Sequence, residues 1–232
     1  MINLSQHERR ITSQNGEDGV IQKIFENIPI KNKQFIEIGA DPHQANCLNL
    51  WRNEWKGVFF DGRDHSSHPM INPSFYQKFL TRENINSVMD ECLPSMSKDL
   101  DVLSIDTDGI EFYLWNNLDE SWTPSLVIVE MNPQLGFTDD KVMVYDANFV
   151  WRHTSYYGTS AVAWMNLARK KGYSLVHIEK TCTNMFFVKT EYLGSKMFVG
   201  QNDLSAFSHL FEAHKNRFIL EDGPYIKSTD IL

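Results

Sequence analysis

Short apolar runs alternate with stretches of helical periodicity along most of the chain. Gln34 to Asp41 is the first run, with Phe35, Ile36 and Ile38 apolar and Gly39 ending it. Ala45 to Trp51 follows as a helix, Leu48 and Trp51 spaced to face a sheet. Lys56 to Gly62 is a second strand and Phe75 to Leu80 a short third. A helix capped by Asn84 or Asn86 then runs through Val88, Met89, Cys92 and Leu93 to Pro94. Val102 to Ile105 is the fourth strand, followed by a helical stripe of Ile110, Tyr113, Leu114 and Trp115. Leu126 to Val129 has four apolar residues in succession, the mark of a strand buried on both faces.

Further on, Ala161 to Lys171 reads as a helix closed by Gly172. Tyr173–Lys180 and Asn184–Thr190 are strands joined by Thr181-Cys182-Thr183, a connection short enough to demand antiparallel pairing. At the start, Val20, Ile21, Ile24 and Phe25 give residues 12–27 an apolar helical face, with Ser13 and Glu17 as its opening. Near the end, Leu204, Phe207, Leu210 and Phe211 give residues 203–219 another. Phe207 and Phe211 read either as a homodimer face or, preferably, as packing back on their own sheet. Alternation of this kind predicts a parallel α/β sheet, and the closing hairpin predicts one antiparallel strand.

Four strands end in acid: Glu37, Asp61, Asp106 and Glu130. Ligands of open α/β sheets sit outside the C-terminal ends of the strands, so these acids converge on the expected site. The fourth is the densest, with Asp106-Thr107-Asp108-Gly109-Ile110-Glu111 directly after the apolar run. A carboxylate is costly to bury unless paired or bound to a metal, so three there suggest the mouth of a site. Glu111, one helical turn on, reads as a cap or a solvent-facing residue. Asp61 lies 24 residues after Glu37, the spacing of an acid that accepts hydrogen bonds from a ribose diol. An ordinary Asp-Gly turn is the alternative. Gly39 stands without the rest of a G-x-G-x-x-G fingerprint, which argues against a dinucleotide pyrophosphate.

Composition narrows the partners. The formal net charge is -8 and no basic run occurs, which disfavours nucleic acid. No apolar stretch approaches the roughly 20 residues of a membrane span. Cys47, Cys92 and Cys182 are odd in number and widely spaced, and the first ten residues lack a signal peptide's apolar core. A cytoplasmic protein is expected. His65 and His68 are too few for a metal site, which needs at least three protein ligands. The expected organisation is one domain over 1–232: an N-terminal lid over 1–30, a Rossmann-like core over 31–192 and a C-terminal helical extension over 193–232.

Several stretches resemble the FkbM-like family of class I S-adenosylmethionine-dependent methyltransferases. They are Ser13-Gln14-Asn15-Gly16-Glu17-Asp18-Gly19, Phe35-Ile36-Glu37-Ile38-Gly39-Ala40, Ser104-Ile105-Asp106-Thr107-Asp108-Gly109 and Val129-Glu130-Met131-Asn132-Pro133. Tyr157-Gly158-Thr159-Ser160 and Asn184 to Val188 fit as well. The resemblance spans about residues 12–190. It implies a Rossmann-like α/β fold: seven strands, mostly parallel, the last antiparallel, with helices on both faces. It implies S-adenosylmethionine as cofactor, with Glu37, Gly39 and Ala40 along its methionine, Asp61 on its ribose, and Ser13, Gln14 and Gly16 in a lid. Asp106 falls at the same cofactor edge. The first turn departs from the family pattern: Asp41-Pro42-His43-Gln44-Ala45-Asn46 lacks a second glycine.

Methyl transfer to a hydroxyl or amine needs an aligned nucleophile and a base. Asp106 and Asp108 are candidate bases. His153, in the irregular stretch 134–156, is a third, and His43 and His177 have weaker claims. Asp106, Glu130 and Asn132 offer hard oxygen ligands for Mg²⁺ or Mn²⁺, similar to metal-dependent catechol-type O-methyltransferases. The expected acceptor is a glycan, sugar or small-molecule hydroxyl, with peptide side-chain N-methylation as the alternative. A non-catalytic binding module and a metal-dependent hydrolase are the other readings, the hydrolase weakened by missing His ligands.

Overall fold

The computed structural model describes residues 1–65, 74–194 and 197–232. Among the described residues nine strands form, in chain order β1 Gln34–Ile38, β2 Lys56–Asp61, β3 Phe75–Gln77, β4 Val102–Ile105, β5 Leu126–Glu130, β6 Val142–Met143, β7 Tyr173–Ile178, β8 Asn184–Lys189 and β9 Tyr225–Ile226. The helices are α1 Glu17–Phe25, α2 Leu48–Arg52, α3 Ile85–Cys92, α4 Glu111–Asn117, α5 Ala161–Lys170 and α6 Ser208–His214. Seven strands make the main sheet, in the order β3-β2-β1-β4-β5-β8-β7. β1 through β5 pair in parallel, and β8 runs antiparallel to both β5 and β7. This is the Rossmann-like, mostly parallel sheet that the alternating pattern predicts, with its last strand reversed.

Alternation along each strand sorts side chains to two faces. Ile36, Ile38, Phe60, Leu103, Ile105, Val127 and Val129 pack with Met89 of α3, Phe112 and Trp115 of α4, and Trp164 and Leu167 of α5. Phe35, Phe59, Val102, Leu126 and Ile128 pack on the opposite face with Val20, Ile21 and Ile24 of α1 and Leu48 of α2. Continuing the alternation puts Glu37, Asp61 and Glu130 on the α1/α2 face, at the C-terminal ends of their strands. The acids thus share both an edge and a face.

Two helices start later than the hydrophobic period predicts, for the same reason. Asp18 accepts hydrogen bonds from the backbone N–H groups of Ile11, Thr12 and Ser13 at 2.7–2.9 Å, folding the head into a loop. Glu17 accepts from Asn15 and Gly16 N–H, so α1 begins at Glu17 rather than Ser13. Glu37 does likewise for α2, accepting from Asn46 N–H (2.7 Å) and Cys47 N–H (2.8 Å), and that helix begins at Leu48. Side-chain carboxylates compete here with helical continuation for backbone donors.

The Thr181-Cys182-Thr183 connection is held by Glu179, whose carboxylate accepts from Thr181 N–H and Thr183 N–H, both at 2.6 Å. In the C-terminal segment the helix is short, Ser208–His214 after a 3-10 turn at Leu204–Phe207. Phe207 is buried beside His177, ring centres 5.9 Å apart, and Phe211 meets Phe137 at 6.4 Å. These rings therefore pack on their own domain. β6 and β9 form a two-stranded ribbon that ties the irregular stretch after β5 to the C-terminus, a pairing that no local pattern announces. Among the described residues, no helix is long and apolar enough to cross a membrane.

Candidate active site

A cavity of about 580 Å³ opens at the C-terminal edge of the sheet. All four strand-end acids, Glu37, Asp61, Asp106 and Glu130, line it. Gly39, Asn46, Arg63, Asp108, Trp151, His153, Tyr157 and Phe218 line it as well.

The β1 turn is shaped by Glu37 and Gly39. Glu37 is 3% exposed and spends its carboxylate on the Asn46 and Cys47 amides. Asn46 in turn donates to Ser104 Oγ at 3.1 Å, joining the turn to β4. Burial outweighs those two donors and pushes the Glu37 carboxyl up to about 7. Ala40 is fully buried behind the turn and does not line the cavity. Of the lid residues, Gln14 lines it. Ser13 and Gly16 have other work. The Ser13 hydroxyl is buried on Asp18 at 2.7 Å, and a Cβ at Gly16 would lie 2.8 Å from Glu8 Cβ.

Asp61 is 7% exposed and already paired. Its Oδ1 accepts from Arg63 N–H (2.6 Å) and Nε–H (3.1 Å), and its Oδ2 from the guanidinium at 3.0 Å. His65 stands 3.8 Å away, and its proposed metal partner His68 lies outside the described residues.

Asp106, Asp108 and Glu130 form the chemical centre: one carboxylate oxygen from each lies within 4.8 Å of the others. Burial and the neighbouring carboxylates, Asp108 first, raise the Asp106 carboxyl well above the usual range. Burial and Asp106 do the same to Glu130. Two adjoining buried carboxyls cannot both ionise cheaply, so the pair retains a proton. Burial also raises Asp108, against the pull of Arg63 and His153. Glu130 is 9% exposed, and among the described residues its Oε2 has no hydrogen-bond partner. Three hard oxygen donors, one of them buried and unsatisfied, fit a small divalent cation.

Asn132 does not join that set. Its amide nitrogen donates to Ser155 O (2.8 Å) and Tyr157 O (2.9 Å), and its oxygen accepts from Gln134 N–H at 3.0 Å. The carboxylate that lies beside Asp106 and Glu130 is that of Asp108. The amide instead anchors the loop that delivers Tyr157. Replacing Asn132 by Ala leaves Tyr157 O and Gln134 N–H without this partner, while Ser155 O keeps the Tyr225 hydroxyl at 3.2 Å. A loss of about 2–4 kcal/mol is expected by chemical denaturation.

The loop after β6 brings an aromatic wall. Trp151 packs against Tyr157 (5.2 Å), Phe218 (4.9 Å) and His153 (4.6 Å). His153 is exposed at the cavity with φ +61. Tyr157 is buried, its phenol held in the protonated form by burial and by Glu130. Among the described residues its hydroxyl makes no hydrogen bond, so it is a free donor. The sequence reading missed Tyr157, Trp151 and Phe218 as wall, Arg63 as the partner of Asp61, and Glu111 as a buried group. The Tyr-Gly-Thr-Ser stretch was the signal for the first.

The raised carboxyls make stability depend on pH. A carboxyl whose folded pKa lies above its unfolded value contributes stability that is complete below the unfolded value and lost as pH rises through the folded one. For Glu37 the window runs from 4.5 to about 7, a loss on the order of 3 kcal/mol. Asp106, Asp108, Glu111 and Glu130 act in the same direction. Thermal melts in EDTA are therefore expected to show a lower Tm at pH 8 than at pH 5.5. A higher Tm at pH 8 would contradict the charge assignment.

No protein-family model matches the chain, and no curated protein matches it. Among solved structures it is similar to the MycE methyltransferase of the mycinamycin biosynthetic pathway, solved with Mg, SAH and mycinamycin VI. Identity is 13% and the TM-score 0.40, over 72% of this chain and 46% of that one. The chain thus spans less than half the length of that protein, and function has to be argued from the site.

Proposed function

We propose that the chain is an S-adenosylmethionine-dependent methyltransferase that methylates a hydroxyl of a sugar, glycan or small molecule with the help of a divalent cation. The observation that carries this reading is one cavity with two chemistries. Glu37, Gly39 and Asp61 stand at the ends of β1 and β2, where a nucleoside ligand of such a sheet binds. Asp106, Asp108 and Glu130 stand beside them as a cation trio.

S-adenosylmethionine supplies a methyl group on a sulfonium, and a cation on the trio would lower the pKa of a bound hydroxyl. The protein's own residues do the rest. Asp61 offers its carboxylate to the ribose hydroxyls once Arg63 yields it. Asp106 or Asp108 takes the hydroxyl proton, with His153 at the cavity as the other base. Trp151, Tyr157 and Phe218 exclude water from one side and give a ring-shaped acceptor a flat surface.

The Asp61–Arg63 pair favours a second reading, a non-catalytic binding module on the same fold, because ribose has to compete with a salt bridge. A thermal-shift series separates the two. S-adenosylhomocysteine at 100 times its Kd is expected to stabilise the protein by about 2.7 kcal/mol, and Asp61→Ala to weaken that response at least tenfold. No shift with either sulfur ligand at millimolar concentration would leave the binding module.

A further inference from the structure

Two of the trio stand at strand ends and face each other, Asp106 directly after β4 and Glu130 at the end of β5, whereas Asp108 is carried by a turn two residues further on. Asp108 keeps part of its surface open to solvent although its carboxyl is largely enclosed, and among the described residues that carboxylate makes no hydrogen bond. Its backbone sits at φ +59, a conformation that side-chain-bearing residues rarely adopt. Yet its oxygen lies within 4.8 Å of those of Asp106 and Glu130. Some other group has to fix the turn that carries it.

Glu111 is that group. It opens α4 and is fully buried. Its Oε1 accepts three hydrogen bonds from the residues flanking Asp108: Thr107 N–H at 2.9 Å, Thr107 Oγ1–H at 3.0 Å and Gly109 N–H at 2.6 Å. Bonds from neutral donors to a carboxylate are among the stronger ones. Phe149 closes the turn from the other side, since a Cβ at Gly109 would lie 2.5 Å from its ring. The remaining oxygen, Oε2, is buried without a partner and faces Gly158, whose added Cβ would stand 3.8 Å away.

We propose that Glu111 is the positioning residue of the cation site: it binds no ion itself and sets the affinity by holding the Thr107–Gly109 turn so that Asp108 meets Asp106 and Glu130. This rests on the reading that the trio takes a divalent cation. The proposal predicts an order among variants that a direct ligand or a purely structural residue would not give. Outer groups that orient metal ligands typically change affinity 10- to 100-fold.

Mn²⁺ binding measured by calorimetry and by electron paramagnetic resonance tests it, with S-adenosylhomocysteine binding followed in parallel. Glu111→Gln keeps an acceptor oxygen for the three donors and is expected to stay within about threefold of the wild-type Mn²⁺ affinity. Glu111→Ala is expected to lose at least tenfold, with S-adenosylhomocysteine affinity nearly unchanged. Because Glu111 acts through Asp108, Glu111→Ala adds little to Asp108→Ala in a double-mutant cycle. If Glu111→Ala does not fold, Glu111→Asp serves, since it keeps the charge and withdraws it from the turn; a tenfold loss is again expected. Wild-type affinity in Glu111→Ala or Glu111→Asp, or full additivity with Asp108→Ala, overturns the proposal. Failure of the cation reading has its own signature: wild type takes up no Mn²⁺, or Asp106→Asn binds it as well as wild type, and the role of Glu111 falls with it.

Discussion

Replacing Asp106 by asparagine is expected to abolish methyl transfer while raising the melting temperature of the metal-free protein. Both effects have one cause. Asp106 sits among Asp108, Glu111 and Glu37, and burial together with those carboxylates holds its carboxyl far above the usual range, against a hydrogen bond with Glu130. Asparagine has the same shape and no charge. It removes the repulsion and can donate to a neighbouring carboxylate. A gain of about 1–2 kcal/mol, or roughly 2–8 °C in Tm for a chain of this size, is expected in EDTA. The same change deletes a proposed ligand and a proposed base, so turnover with any acceptor is expected to fall at least about a thousandfold. With excess Mn²⁺ the order of the two melting temperatures reverses, because wild type alone gains the binding energy. Paired melts with EDTA and Mn²⁺ check this. A lower Tm for Asp106→Asn in EDTA would mean that Asp106 supports the fold through a contact, and the repulsion argument would fail.

The convergence of acids was legible because it depends on few facts. A strand that ends in acid reads locally, and a parallel sheet carries all such ends to one edge. Glu37, Asp61, Asp106 and Glu130 needed no more than that to be placed together. What the sequence hid was decided by contacts distant along the chain, or by competition for backbone donors. Asn132 reads as a hard oxygen ligand two residues after Glu130. Its amide is spent on Ser155 and Tyr157, whose position comes from a loop with no periodicity. Glu111 reads as a residue one turn into a helix. Three donors from the preceding turn draw it inward, and it becomes buried. The aromatic wall joins Trp151 and Tyr157 to Phe218, far away in sequence, and only the tertiary fold makes them neighbours. The late starts of α1 and α2 belong to the second class. Asp18, Glu17 and Glu37 take N–H groups that the apolar period assigns to helix.

Gly39→Ala is expected to cost more stability than any other single methyl added in this site, and to disable the site even where the chain still folds. The residue has φ +82, and a Cβ there would lie 1.6 Å from the carbonyl oxygen of Asp106. Hydrogen bonds resist movement of either strand. Gly39 N–H is bound to Phe60 O at 2.7 Å, Ala40 N–H to the same oxygen at 3.0 Å, and Asp106 N–H to Ile38 O at 2.9 Å. The left-handed conformation costs alanine about 1–2 kcal/mol and overpacking about 1–3 kcal/mol more. A loss of roughly 3–5 kcal/mol in urea unfolding is the expected result. The relief available is to push the end of β4 outward, and that end carries Asp106. A folded Gly39→Ala protein is therefore expected to lose Mn²⁺ binding along with S-adenosylhomocysteine binding, although the clash is with the Asp106 backbone and not with a carboxylate. Retention of both ligands at wild-type affinity would show that β4 does not move, and that the close approach of the β1 turn to Asp106 is not what couples the two halves of the cavity.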